Sequence, residues 1–172
     1  ARLHRCESVL LGLSEISADS HGTQLESLLS ALDANVVMLR SRNDWQLADV
    51  EQILIPVAGR GGHEHLLALL LGSLQRSAAR TVVFLRVLST QASSNDVRRA
   101  TRDLVRLAAD VRQQSHVEVL QSDDPLTAVA EQADLLILGV QRHGRYMKLF
   151  GSFTRQLTQR TDCPIIVMSR RG

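Results

Sequence analysis

Seven short runs of apolar residues punctuate the chain: Val9–Leu13, Val36–Arg40, Ile53–Val57, Thr81–Leu88, His116–Leu120, Leu135–Val140 and Ile165–Met168. Most are continuous rather than alternating, and they are rich in β-branched residues. Such runs predict strands buried on both faces of a parallel sheet. Between them the period changes. Glu64–Arg76 carries Leu66, Leu67, Leu70, Leu71 and Leu74 on one side, and Asp96–Gln113 carries Val97, Ala100, Leu104, Leu107, Ala108 and Val111 at helical spacing. Asp124-Pro125 reads as an N-cap with proline at the first helical position, opening a short helix through Ala133. Ser152 opens a last helix, and Cys163-Pro164 lies beyond its end.

From residue 51 onward the order is β-α-β-α-β-α-β-α-β. This alternation predicts an α/β fold, a doubly wound parallel five-stranded sheet with right-handed crossovers. Residues 1–50 add a strand, a helix, a strand and a polar connection containing Asp44-Trp45. The helix-flanking signals occur twice. Gly22-Thr23 precedes Asp33-Ala34-Asn35, and Gly151-Ser152 precedes Asp162-Cys163-Pro164; both spans are 13 residues (35 − 22 and 164 − 151). An offset of 129 (151 − 22) also sets Leu28 on Leu157 and Val36-Val37 on Ile165-Ile166. The earlier segment, from Val9 to Gly12, matches the run ending at Gly139, with a loop that differs by two residues. A duplicated architecture accounts for this: residues 1–50 are the closing part of a first unit, and residues 51–172 are a complete second unit. An incomplete unit exposes apolar faces. Pairing with the sheet edge of the complete unit, dimerisation, or sequence ahead of Ala1 would each cover them; the last, combined with the first, is expected.

Composition narrows the function classes. A chain of 172 residues with 44% apolar content makes an ordinary globular domain. A net charge of +2, a single lysine (Lys148) and 3% aromatic residues argue against a nucleic-acid binder. The two cysteines, Cys6 and Cys163, form no disulfide framework and suit a reducing, cytoplasmic setting. The longest apolar stretch, Leu66 to Leu71, is too short to cross a bilayer, so direct insertion of this segment into a membrane is not expected. The start lacks both an initiator Met and a secretory apolar region, and reads as a fragment or excised domain.

Candidate chemistry concentrates in two glycine loops. Gly59-Arg60-Gly61-Gly62-His63 follows the first strand of the second unit. There glycines admit close backbone approach and Arg60 offers a charge to an anion, at the strand ends where α/β sheets bind ligands. Glycines that merely satisfy positive φ angles explain the loop equally well. Gly139 and Gly151-Ser152 bracket the second loop. A helix start there presents free N–H groups to phosphate, although the ordinary role of Ser152 is an N-cap. No Lys-Ser/Thr of a P-loop and no nucleophile elbow is present, so no catalytic residue and no enzyme activity are expected. His63 and His65, two apart, do not share a helix face and read as solvated helix-start residues rather than a metal pair. Asp123-Asp124 reads as helix capping. The arginines at 98, 99, 102, 106 and 112 read as a solvated helix face, because Asp96, Asp103 and Asp110 interleave with them.

These features resemble the universal stress protein family across residues 51–172, with residues 7–42 looking like the tail of a preceding copy. The resemblance implies a five-stranded parallel α/β sheet. In nucleotide-binding members it also implies an Asp after the first strand and a loop Gly-x2-Gly-x9-Gly-Ser/Thr whose amides and hydroxyl hold phosphate. Gly139 and Gly151-Ser152 fit that loop; Arg142 stands where its second glycine belongs, Gly144 is displaced, and the loop is one residue short. Ala58 stands where the Asp belongs. The resemblance thus implies a degenerate site with no bound cofactor, ATP or AMP being the ligand that a retained site takes. The Arg-Gly-Gly-His loop and the join at Asp44-Trp45-Gln46 also resemble the stress-protein-like domains at the cytoplasmic C-terminus of bacterial permeases, of the cation–chloride cotransporter and amino-acid permease type. That implies a regulatory or scaffolding role. The partners would be the preceding repeat or a second copy, and the membrane portion of the same polypeptide.

Overall fold

Because the apolar runs are continuous, each strand they form must be covered on both sides, and the chain answers with one sheet between two helical layers. The computed structural model describes residues 7–13, 34–42, 44–58, 63–111, 115–130, 133–140 and 152–170. The strands are β1 (Ser8–Leu13), β2 (Asn35–Arg40), β3 (Gln52–Pro56), β4 (Thr81–Leu88), β5 (Ser115–Gln121), β6 (Leu135–Val140) and β7 (Ile165–Ser169). The helices are α1 (Glu64–Ser77), α2 (Ser94–Val111), α3 (Pro125–Ala130) and α4 (Ser152–Arg160). Observed strand bounds lie within one residue of those read from the sequence. The helix at Pro125 is described through Ala130, and the two positions after it lie outside the described residues.

The sheet order is β1-β2-β7-β6-β3-β4-β5. The last five strands are mutually parallel, as the alternation predicts. β1 and β2 are parallel to each other, but β2 meets β7 antiparallel. The β2–β7 ladder is centred on Met38 opposite Val167, a pair 129 positions apart (167 − 38). Val36 and Ser169 lie at one end of the ladder, Arg40 and Ile165 at the other. The exchange is therefore symmetric about the same offset that the sequence displays. Arg40 reinforces the junction by donating from Nη1 to the carbonyls of Thr161 (2.9 Å) and Cys163 (3.2 Å). Arg42 adds an exposed ion pair with Asp162.

Alternate residues feed two cores. Val36, Met38, Leu54, Leu136, Leu138, Ile165 and Val167 pack on the side of α3 and α4, with Leu126, Val129 and Leu157. Val37, Ile53, Ile55, Val82, Phe84, Leu135, Ile137 and Ile166 pack on the side of α1 and α2, with Leu66, Leu67, Leu71 and Leu104. Each large aliphatic side chain buried this way contributes about 1.5–3 kcal/mol.

The polar connection after β2 is better anchored than its composition suggests. It holds a short 3-10 turn at Leu47–Asp49, packs Trp45 and Leu47 against the α1/α2 core, and buries Val50. Arg80 is the clamp. Buried beyond the end of α1, it donates from Nη2 to the Leu47 carbonyl (2.7 Å) and from Nη1 to Ser77 Oγ (3.0 Å), the Ala78 carbonyl (3.3 Å) and the Leu74 carbonyl. A guanidinium there meets both the last carbonyls of α1 and the negative end of its dipole. Asp134, just ahead of β6, accepts from the amides of Glu51 (3.1 Å) and Gln52 (2.9 Å), fixing the start of β3 beside β6.

Candidate functional site

β3 and β6 are neighbours whose connections leave in opposite directions, β3 toward β4 and β6 toward β7. The crevice beyond their carboxyl ends is the topological switch point, where open α/β sheets take ligands. A cavity of about 170 Å³ lies there. Pro56, Val57 and Ala58 from the end of β3, Leu85 and Val87 from β4, and Leu138 and Gly139 from β6 form its floor. Pro125 and Val129 of α3 and Phe153 and Thr154 of α4 form its wall. The lining is mainly aliphatic, and none of these residues carries a charge.

Local sequence explains how each wall is held. Val57 continues the β3 ladder by donating its amide to the Leu85 carbonyl (2.8 Å). Ala58 is exposed, and its carbonyl accepts from Arg86 Nη2 at 3.4 Å. Asp124 caps α3 by accepting from the amides of Leu126 (3.2 Å) and Thr127 (3.3 Å), and Arg160 of α4 reaches it at 3.3 Å. Asp123 does not cap a helix, contrary to the sequence reading. It closes the loop after β4, accepting from Ser89 Oγ (3.1 Å), the Thr90 amide (3.1 Å) and Thr90 Oγ1 (2.5 Å). These bonds stabilise the charged carboxylates. Asp123 is held below the usual carboxylate range chiefly by the Thr90 hydroxyl, and Asp124 chiefly by that of Thr127. At the start of α2, Ser93 and Asp96 form a reciprocal capping box: the Ser93 amide donates to Asp96 Oδ2 (3.1 Å) and the Asp96 amide to Ser93 Oγ (3.2 Å).

On the opposite face of β6, the residue before α1 covers Gly139. His63 is buried, not solvated as its spacing with His65 suggests; His65 is the exposed member of the pair. The ring lies so close that a Cβ on Gly139 would sit 2.7 Å from its Cδ2. Gly139 thus serves close packing, which is one reason a strand keeps a glycine. Among the described residues neither ring nitrogen of His63 has a hydrogen-bond partner. Burial pushes its pKa down and Arg170 adds to that, while Glu64 opposes it.

Of the sequence-predicted site residues, Gly139 lies in the cavity floor, and Ser152 opens α4, exposed, one residue before the cavity-lining Phe153. Gly59, Arg60, Gly61, Gly62 and Gly151 lie outside the described residues, as do Arg142, His143 and Gly144. Sequence reasoning missed Arg86, although a charge inside the apolar run Val82–Leu88 was a usable signal. It named His63 but read it as solvated, since its position before Leu66 and Leu67 gave no sign of burial. Among the described residues no group of three His, Cys, Asp or Glu is placed to hold a metal ion. No helix among them is long and apolar enough to cross a membrane.

Comparison with solved structures gives the same architecture. The universal stress protein from Archaeoglobus fulgidus in complex with dAMP is similar at 15% identity over 69% of this chain and 97% of its own, with a TM-score of 0.56. A second universal stress protein structure, from Archaeoglobus fulgidus DSM 4304, is similar at 16% identity over 96% of this chain and 61% of its own, with a TM-score of 0.59. The cytoplasmic domain of a prokaryotic cation chloride cotransporter is similar at 15% identity over 98% of this chain and 66% of its own, with a TM-score of 0.69. No curated protein matches the sequence. The universal stress protein family matches residues 51–169, and the chain belongs to that family.

Proposed function

We propose that this chain is a non-catalytic regulatory or scaffolding domain on the cytoplasmic face of a bacterial membrane transporter, of the cation–chloride cotransporter or amino-acid permease type. It acts through contacts with its preceding repeat, a second copy and the membrane portion of its polypeptide. Residues 1–50 are the closing part of a first stress-protein-like unit and residues 51–172 the second.

The observation that carries this reading is the switch-point cavity. At about 170 Å³ it is smaller than the roughly 300–1,000 Å³ of typical small-molecule sites. Its lining includes Ala58 where nucleotide-binding members of the family have an Asp, so the described wall offers no carboxylate to a ribose or base. Two further observations support it: the β2–β7 ladder is symmetric about the repeat offset, and the cotransporter domain is similar across 98% of this chain.

A second reading is a nucleotide-binding stress protein that holds ATP or AMP between Gly59–Gly62 and the Gly139–Ser152 loop. It draws support from the relative that binds dAMP and from Ser152 beside the cavity. Calorimetric titration with ATP and AMP, with and without magnesium, separates the two. The expected result is no heat at millimolar nucleotide from folded protein. Micromolar binding that disappears in Ser152→Ala or Gly151→Val establishes the second reading instead.

A further inference from the structure

Arginines and aspartates are mixed along the sequence of α2, but winding the helix sorts them. At about 100° per residue, Arg98, Arg102 and Arg106 follow one another in steps of about 40°. Asp96 and Asp103, seven positions apart (103 − 96), fall together on one flank of that stripe. Ala100 and Leu104 are buried on the side that meets the sheet, so the stripe looks outward. The carboxylates are also engaged or withdrawn. Asp96 is held by Ser93 in the capping box, and Asp103 is half-buried, whereas Arg98, Arg99, Arg102 and Arg106 are exposed. Arg99 acts on Asp96, whose carboxyl it helps to hold down. Among the described residues none of the four arginines makes an ion pair.

A solvated charged face does not explain the apolar side chains set among these charges. Val105 shares the stripe, three residues after Arg102, and is 51% exposed. On α1, Leu69 is 56% exposed, seven residues before the exposed Arg76. α1 and α2 touch, side by side on one face of the sheet, and their outer sides form a single surface. That surface holds guanidinium groups with aliphatic side chains between them. In the other helical layer the exposed Arg160 is offset by Asp124. The charge is therefore one-sided, although the whole chain carries only +2.

We propose that the outer surface of the α1/α2 layer, centred on Arg98, Arg102, Val105 and Arg106, is a contact face for an anionic phospholipid bilayer. The contact is adsorption at the level of the headgroups, and no helix inserts. Its chemistry is complementary throughout. Guanidinium groups form paired hydrogen bonds with phosphate oxygens. Clustered cations are drawn to an anionic leaflet. Val105 and Leu69 leave water for the boundary between headgroups and acyl chains. An acidic peptide is held in a groove or along a sheet edge, whereas two helices side by side present a broad convex surface. A nucleic acid would leave Val105 and Leu69 facing its phosphates. The switch-point cavity is walled by the other helical layer and stays open when this face is seated.

The inference goes beyond the functional reading above and does not rest on it, since it concerns a surface rather than the cavity. Its test uses no nucleotide. The chain is sedimented with vesicles of phosphatidylcholine alone, or of phosphatidylcholine and phosphatidylglycerol in equal amounts, at about 0.1 M salt, where screening sets in near 10 Å. It should sediment with the mixed vesicles only, and be released at about 1 M salt, where the screening length falls to about 3 Å. Arg98→Gln with Arg102→Gln should weaken partitioning at least about tenfold, because each cation near such a surface contributes roughly fivefold. Gln156→Glu with Gln159→Glu, at exposed positions of α4, lowers the net charge equally and should leave partitioning nearly unchanged. All variants are first shown to be folded by circular dichroism. No sedimentation of the folded chain with the mixed vesicles overturns the inference. So does an equal loss in the two double variants, which reduces the binding to net charge. So does capture by polyglutamate or duplex DNA in preference to the vesicles, which assigns the face to an acidic protein or a nucleic acid.

Discussion

The ring of His63 lies against the backbone of Gly139, its Cδ2 2.7 Å from the point a Cβ on that residue would occupy. The contact ties the start of α1 to the end of β6, on the face of the sheet opposite the cavity. Gly139→Ala forces one of these elements to move and is expected to destabilise the protein by about 1–3 kcal/mol. His63→Ala in the same chain should recover part of the loss. Urea denaturation of the two single variants and the double variant measures the coupling, which is zero if the contact is absent in solution.

Protonation of the same imidazole gives a pH signature. Its pKa in the folded chain lies below the ordinary histidine value of 6.5 because burial disfavours the charged ring and Arg170 adds to that, with Glu64 opposing. Below 6.5 the unfolded chain binds the proton more readily than the folded one. The His63 contribution is therefore fully present above pH 6.5 and is lost as pH falls toward the depressed folded value. Urea midpoints at pH 7.5 and 5.5 should differ, and His63→Phe should flatten the difference. The bonded carboxylates of Asp96, Asp123 and Asp124 are shifted below 3.8, so their losses come in more acidic solution.

Arg80→Ala removes the clamp on Leu47 and the last carbonyls of α1. A cost of about 2–4 kcal/mol is expected, since several buried acceptors lose their donor together. Limited proteolysis should begin between Arg42 and Glu51. Arg80→Lys should restore only part of the stability, because an ammonium lacks the planar fork that serves Leu47 and the helix end at once. Unchanged proteolysis in Arg80→Ala would mean that Trp45 and Val50 alone hold the connection.

Cys163 is half-buried, and desolvation pushes its thiol pKa up to about 11. Its thiolate is correspondingly scarce. In a Cys6→Ser background, alkylation at pH 8 should run roughly two-hundredfold slower than that of an unperturbed thiol with a pKa of about 8.5. Urea should restore the ordinary rate. A fast reaction in the native state would contradict the buried placement of the residue beside the Ala133 carbonyl.

Strands were legible because a doubly covered sheet writes itself as continuous β-branched runs, and Val82–Leu85 or Leu135–Leu138 admit no other reading at that length. The offset of 129 was legible from Gly22 and Gly151, and it coincides with the centre of the Met38–Val167 ladder. Direction was not legible: an apolar run such as Val36–Leu39 looks alike from either end, so the antiparallel β2–β7 junction left no mark. His63 escaped because its burial depends on Gly139, 76 positions away (139 − 63) and joined to it only by the fold. Ala58 was readable through family resemblance alone. Its place in a small apolar cavity depends on α3 and α4, which the local sequence does not bring to mind.

The antiparallel junction between β2 and β7 gives the sheet two heads. The carboxyl ends of β3 to β7 emerge on one rim, and those of β1 and β2 emerge on the other. A crevice formed beyond β1 therefore opens away from the switch-point cavity, toward the opposite side of the molecule. Two partners approaching from opposite directions would each meet a strand-end surface of the same kind, joined through one continuous ladder of backbone hydrogen bonds.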